Sequence, residues 1–97
     1  MADRELPFSS VVVAGIAVPV KLVRGLDKRG YFSEAGIQLA PDAQPSTAKT
    51  LVHELVHAWE YHYEIPMAHS KVTALENALF ELIRQREVVR WIQRGRW

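Results

Sequence analysis

Two histidines four residues apart, with a glutamate directly after the first, stand out in the segment TLVHELVHAWEYH at residues 50–62. On a helix, His53 and His57 would project from one face about one turn apart. Two neutral imidazoles at that separation can bind the same zinc ion, each through a Zn–N bond of about 2.0–2.1 Å. The spacing therefore predicts that a zinc ion is held on one face of a helix.

Glu54 follows His53 directly, so its side chain lies about 100° further round the same helix. From there its carboxylate can reach a water molecule bound to the metal without itself binding the metal. Zinc acidifies such a water, and a neighbouring carboxylate can take its proton, so Glu54 is predicted to be a catalytic general base. The alternative is that both histidines are core residues bonded to the backbone. Each polar group in this apolar run would then need its own partner.

A catalytic zinc site needs a third ligand from the protein and leaves the fourth position to water. Glu76 is the first candidate, because it stands in the apolar stripe of a second predicted helix, where a lone carboxylate is costly. His69, about two turns earlier on the same face, is the rival candidate. Tyrosine hydroxyls are candidate donors to a developing oxyanion, although such side chains more commonly serve packing. The tyrosines considered are Tyr31, Tyr61 and Tyr63.

The N-terminal part of the chain, which must support this helix, has the composition of a sheet. Residues 1–45 are rich in Val, Ile, Gly and Pro, and short apolar runs alternate there with turn-forming residues. The segment Gly36–Pro41 alternates apolar and polar residues like a half-buried strand. We expect one α+β domain over residues 1–97, in which a small antiparallel or mixed sheet precedes an active-site helix and a second, C-terminal helix.

Two helices are predicted in the C-terminal part of the chain. The helix that carries the two histidines is expected over residues 46–63, with Ser46 and Thr47 as candidate N-cap residues. Pro66 separates it from a second helix. That second helix, which would carry the third ligand, is expected over residues 70–90 because its apolar residues recur at helical spacing.

The last fourteen residues, RQREVVRWIQRGRW, carry five arginines and one glutamate. We interpret the basic tail at residues 91–97 as a frayed helix end, whose arginines offset the helix dipole while Trp91 packs on the core. Two alternatives stay open. The arginines could bind a phosphate backbone while Trp91 and Trp97 stack on bases, or the tail could lie across the cleft and keep an enzyme latent.

Composition narrows the classes of function. The chain has no cysteine, which excludes disulfides, Cys-ligated zinc and thiol catalysis. A formal net charge of +1 gives no whole-molecule attraction to nucleic acid, so we do not expect a nucleic-acid partner. We find neither a signal peptide nor a membrane span in the sequence, and we expect an intracellular protein without a membrane partner. An exposed strand edge in so small a domain also allows a homo-oligomer.

The segment TLVHELVHAW resembles the active-site helix TLxHExxHA of zincin metallopeptidases. The chain is similar to the small HExxH proteins of phages and bacteria that are related to the ImmA/IrrE metallopeptidases. Its GYFSEAGIQLAP resembles their strand pair, and its KVTALENALFELIRQ resembles their following helix. Several relatives carry an acidic residue where this chain has Thr73. Metzincins are excluded, because Glu60 and Tyr63 stand where they carry a glycine and a third histidine.

The resemblance implies a gluzincin that hydrolyses peptide bonds with one Zn²⁺ ion. His53 and His57 would be zinc ligands, Glu54 the catalytic base, and Glu76 the acidic third ligand. The substrate would be an extended peptide or protein paired along the edge of the sheet, for which Gly36–Pro41 is the candidate strand. The alternative is a catalytically weak or inactive zincin scaffold that binds a protein or nucleic-acid partner.

Overall fold

A four-stranded sheet followed by three helices forms the part of the chain that the computed structural model describes, residues 6–41 and 47–95. The sheet holds both parallel and antiparallel pairs, so the mixed α+β fold predicted from the sequence is confirmed. No helix within these residues is long and apolar enough to cross a membrane. The elements in chain order are β1 Ser10–Val13, β2 Ile16–Leu22, β3 Gly30–Ser33, β4 Gly36–Leu39, α1 Thr47–His62, α2 His69–Ile83 and α3 Arg86–Arg94.

The strand order in the sheet is β1-β2-β4-β3. A hairpin joins β1 to β2 through Ala14 and Gly15, whose φ angles of 52° and 78° suit a two-residue turn that follows the twist of the strands. β2 pairs with β4 in parallel, and β4 pairs with β3 in antiparallel fashion. The prediction that Gly36–Pro41 forms an edge strand is therefore wrong, because β4 has a neighbour on each side. The edge on that side of the sheet is β3.

Gly36 allows β4 to start close to β2. Its φ is 129°, and a Cβ added there would stand 2.6 Å from the carbonyl oxygen of Pro19. Any other residue would suffer both backbone strain and a clash at this position. The two following apolar residues of β4, Ile37 and Leu39, are buried in the main core. That core contains side chains from β1, β2, β4 and α1: Val13, Val18, Val20, Ile37, Leu39 and Ala58.

The start of α1 is bonded to the end of the sheet. Thr47 is the first residue of α1 that the structure describes, and its hydroxyl donates a hydrogen bond to the carbonyl oxygen of Pro41 at 3.1 Å. The other candidate for the N-cap, Ser46, lies outside the described residues.

α1 runs through the middle of the fold and is buried on two sides. Thr50, Glu54 and Ala58 recur every four residues and are buried, and Ala58 belongs to the core shared with the strands. Val52 and Val56 are buried on the opposite side of the helix. α1 packs against both the sheet and α2. The two histidines lie on the strip between these buried sides, where each keeps part of its surface exposed.

α1 ends in a Schellman motif that contains no glycine. The N–H of Ile65 donates to the carbonyl of Glu60 at 2.9 Å, and Glu64 takes a left-handed φ of 55°. Pro66 follows directly and cannot continue the helix. The chain is thus turned back so that α2 packs against α1.

The prediction of one helix over residues 70–90 is wrong at its C-terminal end, because α2 and α3 are separate helices. If α2 continued without a break, helical spacing would place Arg86 and Arg90 in line with its buried stripe. In the structure Val89 and Ile92 are the half-buried residues of α3, and both arginines are exposed. The break therefore changes the phase of the apolar face and keeps the charges in solvent.

The C-terminal basic tail differs from our interpretation of the sequence at Trp91. Trp91 is 72% exposed, so the prediction that it packs on the core is wrong. Arg94 lies in the last turn of α3, where a positive charge offsets the dipole as expected. Trp97 lies outside the described residues, so the alternatives that involve it stay predictions.

Candidate metal centre

His53 and His57 lie on α1 with their rings directed toward each other. Their Nε2 atoms are 3.2 Å apart, and their ring centroids are 4.8 Å apart. Two Zn–N bonds of about 2.0–2.1 Å at a tetrahedral angle would bring the nitrogens to about 3.3–3.4 Å from each other. The two imidazoles are therefore spaced as the binding of one metal ion requires.

A carboxylate lies against the other nitrogen of each ring. His53 Nδ1 is 2.7 Å from Glu76 Oε1 on α2, and His57 Nδ1 is 2.7 Å from Glu60 Oε1 on α1. An ionised carboxylate accepts hydrogen bonds and cannot donate them, so each Nδ1 carries the hydrogen. In a neutral ring whose hydrogen is on Nδ1, Nε2 carries a lone pair. We refer to these four side chains, in the order Glu76, His53, His57 and Glu60, as the histidine–carboxylate chain.

The centre of the histidine–carboxylate chain is suited to a cation. Two nitrogen lone pairs that face each other at 3.2 Å repel unless positive charge lies between them. A proton or a metal ion would supply that charge. Metal-binding histidines almost always donate the N–H of their other nitrogen to a carboxylate, a carbonyl or water, and both rings have such a partner here. The donor set at His53 and His57 thus fits a zinc ion.

Glu54 is buried, with 7% of its surface exposed, on the side of α1 next to the edge strand β3. Burial raises the pKa of the Glu54 carboxyl, while a backbone hydrogen bond from Phe32, and positive charge on His53 and His57 when these rings are protonated, act in the opposite direction. A carboxyl with a raised pKa holds a proton more readily near neutral pH than an exposed glutamate does. Burial of Glu54 therefore disfavours its ionised form in the metal-free protein.

Among the described residues, no third metal-binding side chain joins the two histidines. No three His, Cys, Asp or Glu side chains are grouped as a metal site in residues 6–41 and 47–95. Glu76, the predicted third ligand, contacts His53 on its Nδ1 side, away from the facing Nε2 atoms. His69, the rival, is exposed at the start of α2 with its ring centroid 6.1 Å from that of His53. The identity of the third ligand stays a prediction.

Two recesses in the surface meet at Glu54. The larger has a volume of about 580 Å³ and lies between β3 and the C-terminal part of α1, whereas the smaller has a volume of about 430 Å³ and reaches Glu76. Tyr31 and Tyr61 line the larger recess. The Tyr61 hydroxyl donates to Glu34 Oε1 at 3.0 Å, so it is already engaged. Of the two, Tyr31 is the better placed candidate for an oxyanion donor.

Glu60 is the residue of this site that the sequence reasoning missed. In the sequence, Glu60 stands out only as a departure from the metzincin pattern. Its spacing of three residues from His57 was nevertheless a usable signal, because side chains three apart are neighbours on a helix. A search for carboxylates at helical spacing from each predicted ligand would have found it.

Comparison of the chain with protein families, curated proteins and solved structures found no match. The resemblance to zincin metallopeptidases therefore depends on the sequence segments that carry it. The chemistry of the site is inferred from its own geometry.

Proposed function

We propose that this chain is a zinc-dependent metallopeptidase, in which His53 and His57 bind the zinc ion through Nε2 and Glu54 is the general base. The observation that carries the proposal is the separation of 3.2 Å between the two Nε2 atoms, with the Nδ1 atom of each ring held by a carboxylate. A metal ion would accept both lone pairs at this separation, whereas without a metal one of the two rings would need a hydrogen on Nε2 to bond to the other.

When bound, zinc would supply a water molecule of lowered pKa and a charge that polarises the carbonyl of the substrate. Glu54 would accept the proton of the attacking water on its carboxylate and pass it to the amine that leaves. Phe32 bonds to the same carboxylate through its backbone and would keep it oriented.

An extended peptide would lie along β3. This strand is the edge of the sheet on the side of the site, and its Gly30 and Phe32 line the larger recess together with Glu54 and His57. Backbone pairing with an edge strand supplies affinity without a strong preference for sequence. Peptides and unfolded protein segments are therefore the proposed substrate class, and β3 replaces β4 as the proposed docking strand.

The test is the replacement of Glu54 with glutamine, with Glu64→Gln as the control because Glu64 is an exposed glutamate outside the site. We expect Glu54→Gln to bind about one zinc per chain while peptide cleavage falls by about 10²–10⁴-fold, the usual contribution of a general base. Zinc is measured by elemental mass spectrometry and cleavage by a panel of quenched peptides. Wild-type activity in Glu54→Gln would rule the mechanism out.

A second candidate function is favoured by the position of Glu76. Because this carboxylate contacts His53 instead of standing as a third ligand, the described residues would hold the metal with fewer protein groups than a catalytic site uses. Metal would then stabilise a scaffold that binds a protein or nucleic-acid partner. Zinc-loaded wild type that cleaves no peptide, while zinc raises its unfolding temperature, would favour this second candidate.

A further inference from the structure

Glu60 makes two contacts that involve both of its carboxylate oxygens. Oε1 lies 2.7 Å from His57 Nδ1, and Oε2 accepts the backbone N–H of Met67 at 2.8 Å. The side chain keeps only 17% of its surface exposed. One glutamate thus connects the second histidine of the motif to the loop that leads into α2.

We propose that Glu60 is a positioning residue of the metal centre. Its carboxylate fixes the hydrogen of His57 on Nδ1 and holds the ring at the angle that presents Nε2 to His53. Glu76 has the equivalent contact with His53 from α2. The two carboxylates hold the two rings from opposite ends of the histidine–carboxylate chain.

A carboxylate is the group that this position requires. Two N–H donors converge on Glu60, one from the His57 ring and one from the Met67 backbone, and each takes a separate oxygen. A glutamine has one acceptor oxygen and one NH₂ group, which is a donor. It can therefore satisfy only one of the two donors with its oxygen, and it places a donor against the other.

The contact with Met67 also links the metal centre to the connection between the helices. Met67 is two residues before His69, the first residue of α2, and α2 carries Glu76. The loop that Glu60 holds therefore precedes the helix that supports the other histidine. Loss of Glu60 would release the His57 ring directly. It would also loosen the loop that precedes α2, the helix whose Glu76 supports His53.

The test uses Glu60→Gln in the metal-free protein, with Glu64→Gln as the matched control in the same part of the chain. Nitrogen NMR of the imidazole rings, above the ordinary histidine pKa of about 6.5, reports which nitrogen carries the hydrogen. We expect His57 to be in the Nδ1–H form in wild type and in the control. In Glu60→Gln it should become a mixture of both forms, while His53 keeps its form because Glu76 is unchanged.

Zinc affinity is measured on the same proteins by competition with a chelator. Glu60→Gln should bind zinc about 10–100-fold more weakly than wild type and the control, as is typical when a group that supports a metal ligand is lost. An unchanged tautomer of His57 would overturn the proposal, and so would an unchanged zinc affinity. If Glu60→Gln fails to fold, Glu60→Asp replaces it, since aspartate keeps the charge on a side chain too short for both contacts.

The affinity measurement rests on the proposed function, but the tautomer measurement does not. If wild type binds no zinc, the metallopeptidase proposal fails. The tautomer of His57 and its response to Glu60→Gln would then still support or overturn the positioning role.

Discussion

Replacing Glu76 with alanine distinguishes two roles for its carboxylate, that of a metal ligand and that of a hydrogen-bond acceptor that positions His53. In the structure Glu76 has the second of these roles, because its Oε1 atom lies 2.7 Å from His53 Nδ1. Loss of such a supporting carboxylate weakens metal affinity by about 10–100-fold, which is about 1.4–2.7 kcal/mol. We expect Glu76→Ala to bind about one zinc per chain with an affinity reduced by that factor.

The same change should lower the stability of the metal-free protein. The Nδ1–H of His53 loses its acceptor, and an unsatisfied buried donor costs about 1–3 kcal/mol. Because the His53 side chain is 25% exposed, water can replace part of the lost bond, so the loss should lie in the lower half of that range. Glu76→Gln keeps an acceptor oxygen and should lose less of both stability and affinity.

The assay combines chelator competition for zinc with the visible spectrum of the cobalt-substituted protein at saturating metal. Glu81→Ala is the matched control, since Glu81 is an exposed glutamate on the same helix. If Glu76 positions His53, the saturated Glu76→Ala variant has the wild-type cobalt spectrum. A spectrum of changed coordination number would refute this reasoning and make Glu76 a ligand. Wild-type zinc affinity in the variant would refute it as well.

Gly36→Ala should cost more than about 2 kcal/mol in urea unfolding, because the new Cβ would stand 2.6 Å from the Pro19 carbonyl at a φ of 129°. Gly25→Ala, with a φ of 76° but open space, should cost about 1–2 kcal/mol, and equal losses would contradict the clash. Tyr61 should have a pKa above the ordinary value, because its hydroxyl donates to Glu34 and ionisation would bring two negative charges together. The contact therefore contributes to stability below the ordinary pKa and is lost as the pH rises through the raised one. Ultraviolet titration of Glu34→Gln should show a lower Tyr61 pKa than wild type, and identical curves would rule this contact out.

The register of the two histidines was predictable because it depends only on local geometry. Four residues make about one turn of any helix, so His53 and His57 had to share a face once α1 formed. Glu76 was predicted at this site because it interrupts an apolar stripe, and it does contact His53. Which atom of the ring it contacts could not be predicted, since that depends on the distance and rotation between two packed helices.

The errors have a common physical origin. Alternation along Gly36–Pro41 indicated a strand, but no pattern within one strand shows which strands flank it in the sheet. The break before Arg86 was missed because no proline or glycine marks it. Its signal lies in the phase of the apolar residues, since Val89 and Ile92 do not continue the stripe of α2. Tertiary burial decides this phase, and helical propensity alone does not.

The two ends of the histidine–carboxylate chain lie at very different distances along the sequence. His57 and Glu60 are 3 residues apart, so their contact can form as soon as α1 does. His53 and Glu76 are 23 residues apart, so their contact must wait until α2 has docked. During synthesis the ribosome completes α1 first, and the nascent chain therefore holds the HExxH motif before it holds the second support. The nascent chain would therefore bind metal weakly until α2 has packed against α1 and Glu76 contacts His53.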